Sequence, residues 1–202
     1  GFVVGCFNNS WKITAPVFDV WMRLLAKVPG SVLWLLAGNR AACDNLRREA
    51  AGRGIDPQRL VFAAKTSPAQ HLSRHLLADL FLDTLPYNAH TTASDALWAG
   101  VPLVPCKGAT FAGRVAASLL GAAGLPELVT GNLEAYETLA LDLAHDAARL
   151  QSFSRRLRET RAHSRLFDAD RFRRHIEAAY TRMWENAEHG RKAQSFAVTP
   201  GG

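Results

Sequence analysis

Tyr87-Asn88-Ala89-His90-Thr91-Thr92-Ala93-Ser94-Asp95-Ala96-Leu97-Trp98-Ala99-Gly100-Val101-Pro102 holds a polar loop, a helix start and a helix stop in one run. The loop, Tyr87 to His90, follows the apolar segment Asp79 to Asp83. Thr91 or Thr92 can cap a short helix through its hydroxyl. Gly100 then ends the helix, and Pro102 prevents its continuation into Val101 to Val104. A helix that begins just past the carboxyl end of a parallel strand leaves unpaired N–H groups and its positive dipole end at the mouth of the sheet. Such a place suits a phosphate. Two hydroxyls and the His90 imidazole add hydrogen bonds there. Asp95, one turn further, faces the same mouth, where a carboxylate could accept from ribose hydroxyls. An ordinary strand-to-helix turn carries the same capping residues, so this run alone leaves both readings open.

The chain around it has 202 residues, 48% of them hydrophobic, enough for one sizeable core or two small ones. It lacks any apolar run of membrane-spanning length, so no membrane partner is expected. No secretory leader is expected ahead of the first strand. Cys6, Cys43 and Cys106 are widely spaced and match no zinc pattern. They suggest reduced thiols and a cytoplasmic protein. The net charge of +6 is unevenly placed. Residues 1–148 hold 12 Lys+Arg and 12 Asp+Glu, whereas residues 149–202 hold 12 and 6. The excess lies in C-terminal helices that carry no nucleic-acid motif, so it reads as a solvated face and no nucleic-acid partner is expected.

Phe2 to Cys6 opens the chain as a strand, as expected of one piece of a larger protein cut at a domain boundary. Thr14 and Pro16 start a helix that runs to about Val28. Ser31 to Leu36 reads as a buried strand, and Ala41 to about Arg53 as a helix. Arg59 to Ala63 is a short strand, and Ser67-Pro68 opens the next helix. After the central run come a strand at Val101 to Pro105 and a helix over Thr110 to Ala122. Helices over Asn132–Ala147, Leu150–Arg161 and Ala169–Asn186 follow. Strands and helices alternate six times or nearly so, the pattern of an α/β, doubly wound, Rossmann-like parallel sheet with extra C-terminal helices. The division expected is a lobe over 1–148, helices over 149–190 packing back on the lobe or lobes, and a mobile tail over 191–202. Trp34 and Trp98 read as core residues.

Ligands of such sheets bind beyond the carboxyl ends of the strands. Four polar segments therefore share one edge: Asn8 to Lys12, Lys65 to Arg74, Tyr87 to Asp95, and Lys107 to Arg114. Neither a Gly-x-Gly-x-x-Gly after the first strand nor a Walker loop occurs, which argues against a dinucleotide hydride-transfer domain and a P-loop NTPase.

Six segments in register resemble the O-GlcNAc transferases. They are Asn8-Asn9-Ser10-Trp11-Lys12-Ile13, Val28-Pro29-Gly30-Ser31-Val32-Leu33-Trp34-Leu35-Leu36, Leu82-Asp83-Thr84, His90-Thr91-Thr92, Asp95-Ala96-Leu97-Trp98-Ala99-Gly100-Val101-Pro102 and Arg114-Val115-Ala116-Ala117-Ser118. The likeness covers Gly1 to about Gly190 and is greatest to bacterial members. It implies the C-terminal, donor-binding lobe of a two-lobed GT-B glycosyltransferase. The reaction implied is transfer of N-acetylglucosamine from UDP-GlcNAc to Ser or Thr hydroxyls of a protein or peptide, with inversion and without a metal or other cofactor. The partners implied are the N-terminal catalytic lobe and tetratricopeptide repeats of the same protein. Carried over, Lys12 is the catalytic cation on the diphosphate, with Asn9 beside it. His90, Thr91 and Thr92 hold the distal phosphate, and Asp95 takes the ribose. His71 and Arg74 lie against the uracil, with Thr66 in the same base-binding segment. A Lys of the animal enzymes is replaced by Pro68, and Lys65 can take its place from a neighbouring position. In this fold type the last helix commonly crosses to the N-terminal lobe, so the face of Phe172, Ile176, Ala179, Tyr180 and Met183 is expected to be buried there.

Three other readings fit the same residues. One is protein O-fucosyl transfer from a GDP-sugar, distinguished by a wider base slot around Lys65 to Arg74. Another is a non-hydrolysing UDP-sugar epimerase. The third is a non-catalytic module that binds nucleotide sugars or docks a partner through its basic helices.

Overall fold

The strands are β1 (Val3–Cys6), β2 (Val32–Leu36), β3 (Leu60–Ala63), β4 (Leu80–Leu82) and β5 (Leu103–Val104). All pair in parallel, in the order β3-β2-β1-β4-β5. This structure, a computed structural model, describes residues 1–198. The chain steps outward from β1 to β3, returns to the other side of β1 for β4, and ends at β5. The order thus reverses between β1 and β4, and the crevice of a doubly wound sheet opens there.

Eight α-helices among the described residues follow from the sequence signals: α1 (Ala15–Lys27), α2 (Arg40–Gly52), α3 (Pro68–His75), α4 (Thr91–Ala99), α5 (Val115–Ala122), α6 (Leu133–His145), α7 (Ala147–Thr160) and α8 (Ala169–Glu188). Right-handed crossovers place α1 and α2 on one face, and α3 and α4 on the other. On the first face α1 packs against α6, and on the second α3 packs against α4. Trp21, Leu24 and Leu25 of α1 and Tyr136, Ala140 and Leu143 of α6 are fully buried. The Tyr136 hydroxyl accepts from Trp21 Nε1 at 2.8 Å and donates to the Asp83 carbonyl at 3.0 Å. One phenol therefore joins the two helices to the end of β4. Gly100 ends α4 at φ +82, the left-handed region that L side chains rarely adopt. A Cβ there would also meet Arg158 Cγ at 2.7 Å, so geometry and packing both require glycine.

The chain forms two compact units, one from Gly1 to Arg161 and one from Ala162 onward. In the first, α7 buries Leu150, Phe153 and Leu157 and packs on α4 and α6. In the second, Asp168 caps α8 by accepting from Arg171 N, and Arg173 pairs with Glu177 one turn on. Phe172, Tyr180, Met183 and Trp184 of α8 are exposed in this chain. Residues 191–198 carry no helix or strand, and the remainder of the expected mobile tail, 199–202, lies outside the described residues.

Among the described residues the sheet has the five strands expected, and Cys106 and Thr130 form an isolated parallel bridge. Three local expectations are corrected. Helix α5 begins at Val115 rather than Thr110, because 108–113 is a tight loop in which Gly108 N donates to Gly113 O at 2.7 Å. No threonine hydroxyl caps α4: His90 occupies the N-cap position and makes no side-chain cap. Trp98 is 42% exposed beneath the Arg161 guanidinium, 4.8 Å from its ring, so it is not core.

Tyr136→Phe is expected to destabilise the protein by about 1–3 kcal/mol, because it strands the buried Trp21 N–H. Urea unfolding measures this, and a change below about 0.5 kcal/mol would show that the phenol bridge contributes nothing.

Candidate active site

The loops after β1 and β4 meet at the point of reversal, and a buried carboxylate joins them. Asp83 Oδ1 accepts from Thr84 N at 2.7 Å, Ala89 N at 2.6 Å and Asn8 Nδ2 at 3.2 Å. Its Oδ2 is buried without a partner. Burial is the largest influence on this group and raises its pKa to about 7, against the lowering effect of those three donors and of the Lys12 ammonium. Asn88 binds the third loop: its N–H donates to Ala112 O, and its side chain donates to Thr84 O and, at 3.4 Å, to Cys106 O. Thr14 Oγ1 adds a bond to Leu85 O at 2.9 Å.

On this frame Lys12 closes a 3-10 turn, Ser10–Lys12, and its ammonium donates to Asn88 O at 2.9 Å. The ammonium also lies 4.0 Å from the centre of the Tyr87 ring. Partial burial lowers the Lys12 pKa, and the Asp83 charge opposes that shift. An ammonium has three N–H donors, so it keeps donors for a ligand. Across from it begins α4, whose first N–H groups have no intrahelical partner and no side-chain cap. His90 stacks on Tyr87 at 5.1 Å, and its Nε2 is buried without a partner. Asn9, Lys12, His90, Thr91 and Thr92 line one cleft of about 370 Å³ with Asn8 and Tyr87. The cleft therefore gathers an ammonium, orphan main-chain donors and an unfilled imidazole around one mouth, a donor set suited to a diphosphate.

A second group adjoins it through Phe7. His71 and His75 of α3 meet the Phe7 ring edge-on, at 5.4 and 4.9 Å, and the Arg74 guanidinium lies 5.8 Å from the centre of that ring. Arg74 Nη1 is buried without a partner. His71 Nε2 approaches Asp95 Oδ2 at 3.9 Å, too long for a hydrogen bond. Desolvation lowers the His71 pKa and raises that of Asp95. Both shifts disfavour a charged pair, so we read a juxtaposition rather than a salt bridge.

Eight of the nine residues expected at the site thus fall into two neighbouring groups. The ninth, Thr66, is exposed in the β3–α3 loop, where its hydroxyl bonds Gln70 Oε1, and it lines neither group. Lys65 is exposed in the same loop. Arg114 Nε donates to the Thr110 carbonyl one turn back. A larger cleft of about 570 Å³, lined by Lys107, Phe111, Arg114 and Ser118, contains none of the expected residues. The sequence put Asn8, Tyr87 and Asn88 in segments at this edge and Asp83 in a motif of the resemblance, but assigned none of the four a role. A carboxylate directly after a buried strand was the available signal for Asp83.

A sequence profile of glycosyl transferase family 41 matches residues 1–176. The probable UDP-N-acetylglucosamine–peptide N-acetylglucosaminyltransferase SEC of Arabidopsis thaliana is 37% identical over 198 residues, 98% of this chain and 20% of the plant protein. A UDP-N-acetylglucosamine–peptide N-acetylglucosaminyltransferase of Caenorhabditis elegans is 37% identical over 93% of this chain and 16% of its own length. The chain therefore spans about a fifth or less of these curated relatives. The structure of a mutant Thermobaculum terrenum O-GlcNAc transferase superimposes with TM-score 0.86 at 37% identity, over 92% of this chain and 36% of that one. Anabaena HepE, solved with UDP and glucose, shares the fold at TM-score 0.63 and 16% identity, over 90% of this chain and 48% of its own.

The raised pKa of Asp83 sets a pH dependence. Between its ordinary value of 3.8 and about 7, the folded carboxyl holds a proton that the unfolded chain has lost. Its contribution to stability is therefore present at low pH and lost as pH rises through 7. His75, buried and lowered to about 4, acts oppositely, losing stability as pH falls from 6.5 toward 4. Asp83→Asn isolates the first effect. The stability of wild type minus that of the variant should fall between about pH 4 and pH 7, by roughly 4 kcal/mol at most. A difference independent of pH would contradict the assignment.

Proposed function

This chain belongs to glycosyl transferase family 41, and from that membership we propose that it forms the donor-binding half of an inverting, metal-independent enzyme. The enzyme moves N-acetylglucosamine from UDP-GlcNAc to Ser or Thr hydroxyls of proteins. The reading rests above all on one observation: the Lys12 ammonium and the uncapped start of α4 face one cleft at the reversal between β1 and β4.

The chemistry asked of this lobe is stabilisation of a leaving group. As the bond between the sugar and UDP breaks, negative charge grows on the distal phosphate. Lys12, the first N–H groups of α4 and His90 Nε2 take up that charge. Because these donors are fixed before reaction, the stabilisation requires little reorganisation, and one such donor is worth roughly 3–4 kcal/mol in the transition state. Asn9 flanks Lys12 at the cleft rim. Asp95 accepts from the ribose, and His71 with the unpartnered Arg74 Nη1 holds the uracil. The acceptor protein is bound, and the base that takes the proton from its hydroxyl is supplied, by a second catalytic lobe and tetratricopeptide repeats of the same cytoplasmic protein.

Lys12→Ala should lower turnover by roughly a hundredfold or more in the full-length protein, and weaken UDP binding less. Stability should change by only about 1 kcal/mol, and Lys12→Arg should not restore the rate, because a planar fork places its charge differently. Steady-state transfer, UDP calorimetry and melting temperature measure these. Near-normal turnover, or inactivity through unfolding alone, would remove Lys12 from the chemistry.

Arg74→Ala should weaken UDP and uridine alike, and wild type should prefer UDP to GDP. If uridine affinity were unchanged while UDP affinity fell, Arg74 would be a phosphate ligand. A preference for GDP would favour fucosyl transfer.

A further inference from the structure

The buried polar atoms at the β1–β4 reversal form a chain of hydrogen bonds whose direction is fixed. Thr84 Oγ1 donates to Tyr87 O at 2.7 Å, so its single proton is committed. It can therefore only accept from Asn8, at 2.8 Å. Asp83 Oδ1, already accepting two main-chain N–H groups, can likewise only accept from Asn8. Both neighbours require the nitrogen of the Asn8 amide. With the amide turned over, its oxygen would face two acceptors. A proton on Asp83 would sit on the free Oδ2 and leave this polarity unchanged.

The amide oxygen must then face the other way, toward Thr92 Oγ1 at 2.6 Å. It can only accept, so the Thr92 hydroxyl donates to it. A hydroxyl carries one proton, and this one is directed into the protein. Toward the cleft Thr92 Oγ1 presents lone pairs, which do not attract an anion.

We infer that Asn8 is a positioning residue for donor binding: it takes up the Thr92 hydroxyl proton and pins the first turn of α4 to the end of β1, so that the phosphate is met by the main-chain N–H groups of that turn rather than by the Thr92 side chain. The inference rests on the donor reading above. It divides the paired threonines, since the exposed Thr91 hydroxyl remains able to donate outward while that of Thr92 acts through Asn8. Asn8 is 3% exposed at the cleft wall, and its amide is committed to Asp83, Thr84 and Thr92.

The test is a double-mutant cycle in the full-length protein with Asn8→Ala and Thr92→Val, reading calorimetric affinity for UDP and for uridine. Each single variant should weaken UDP roughly tenfold and leave uridine within about twofold. The double variant should bind UDP about as well as the weaker single, because both changes break one linkage. Thr92→Ser, which keeps the hydroxyl, should retain wild-type UDP affinity. If Asn8→Ala fails to fold, Asn8→Ser takes its place in the cycle. Losses that multiply in the double variant would mean that Thr92 bonds the phosphate directly, and would overturn the inference. So would an equal loss of uridine affinity, which marks general structural damage. Wild-type protein that binds no UDP would overturn the underlying donor reading instead.

Discussion

A carboxylate with no access to water governs the geometry of this lobe. Asp83 stands where β4 ends and gathers three N–H donors onto one oxygen: two from its own loop and one from the loop after β1. Dry surroundings strengthen each of those bonds and make each costly to lose. The loop that carries Lys12 and the loop that leads into α4 are thereby held in one arrangement. Tyr136 and Trp21 secure the same point from the helical layer, through the Asp83 carbonyl.

That rigidity matters for the proposed chemistry, which is electrostatic. Charge that develops on a leaving phosphate is stabilised most by donors already in place. Lys12 is held by a carbonyl and by the face of Tyr87, and half-burial strips away part of its solvent. The start of α4 contributes main-chain donors that no side chain competes for. The unpartnered Nε2 of His90 and Nη1 of Arg74 mark two further places where a polar ligand atom would complete a buried group. Both atoms lie in the two groups of expected residues.

Much of this was legible in the chain. Apolar runs punctuated by Thr14, Pro16, Ser67 and Gly100 disclosed the alternation of strands and helices, because capping and left-handed turns are local demands. Lys12, His90 and Thr91 could be assigned to one edge, since a doubly wound sheet puts every strand's carboxyl end there. The Asp83–Asn8 bond was not legible: it joins residues 75 positions apart and depends on β1 lying beside β4. The fate of the Thr92 hydroxyl was misread for the same reason, as a tertiary acceptor outcompeted the local cap. Thr66 was placed by resemblance alone, and the backbone carries it away from the cleft. The expected helix over 110–114 gave way to a loop that brings Gly113 close to Pro86 O, a contact with no local signature.

A crystal structure of the protein with UDP examines the core of this account most directly. The distal phosphate should lie within about 3 Å of both the Lys12 ammonium and the first N–H groups of α4, with the uracil beside Arg74. A diphosphate seated instead in the cleft of Lys107 and Arg114, or held away from the start of α4, would contradict it.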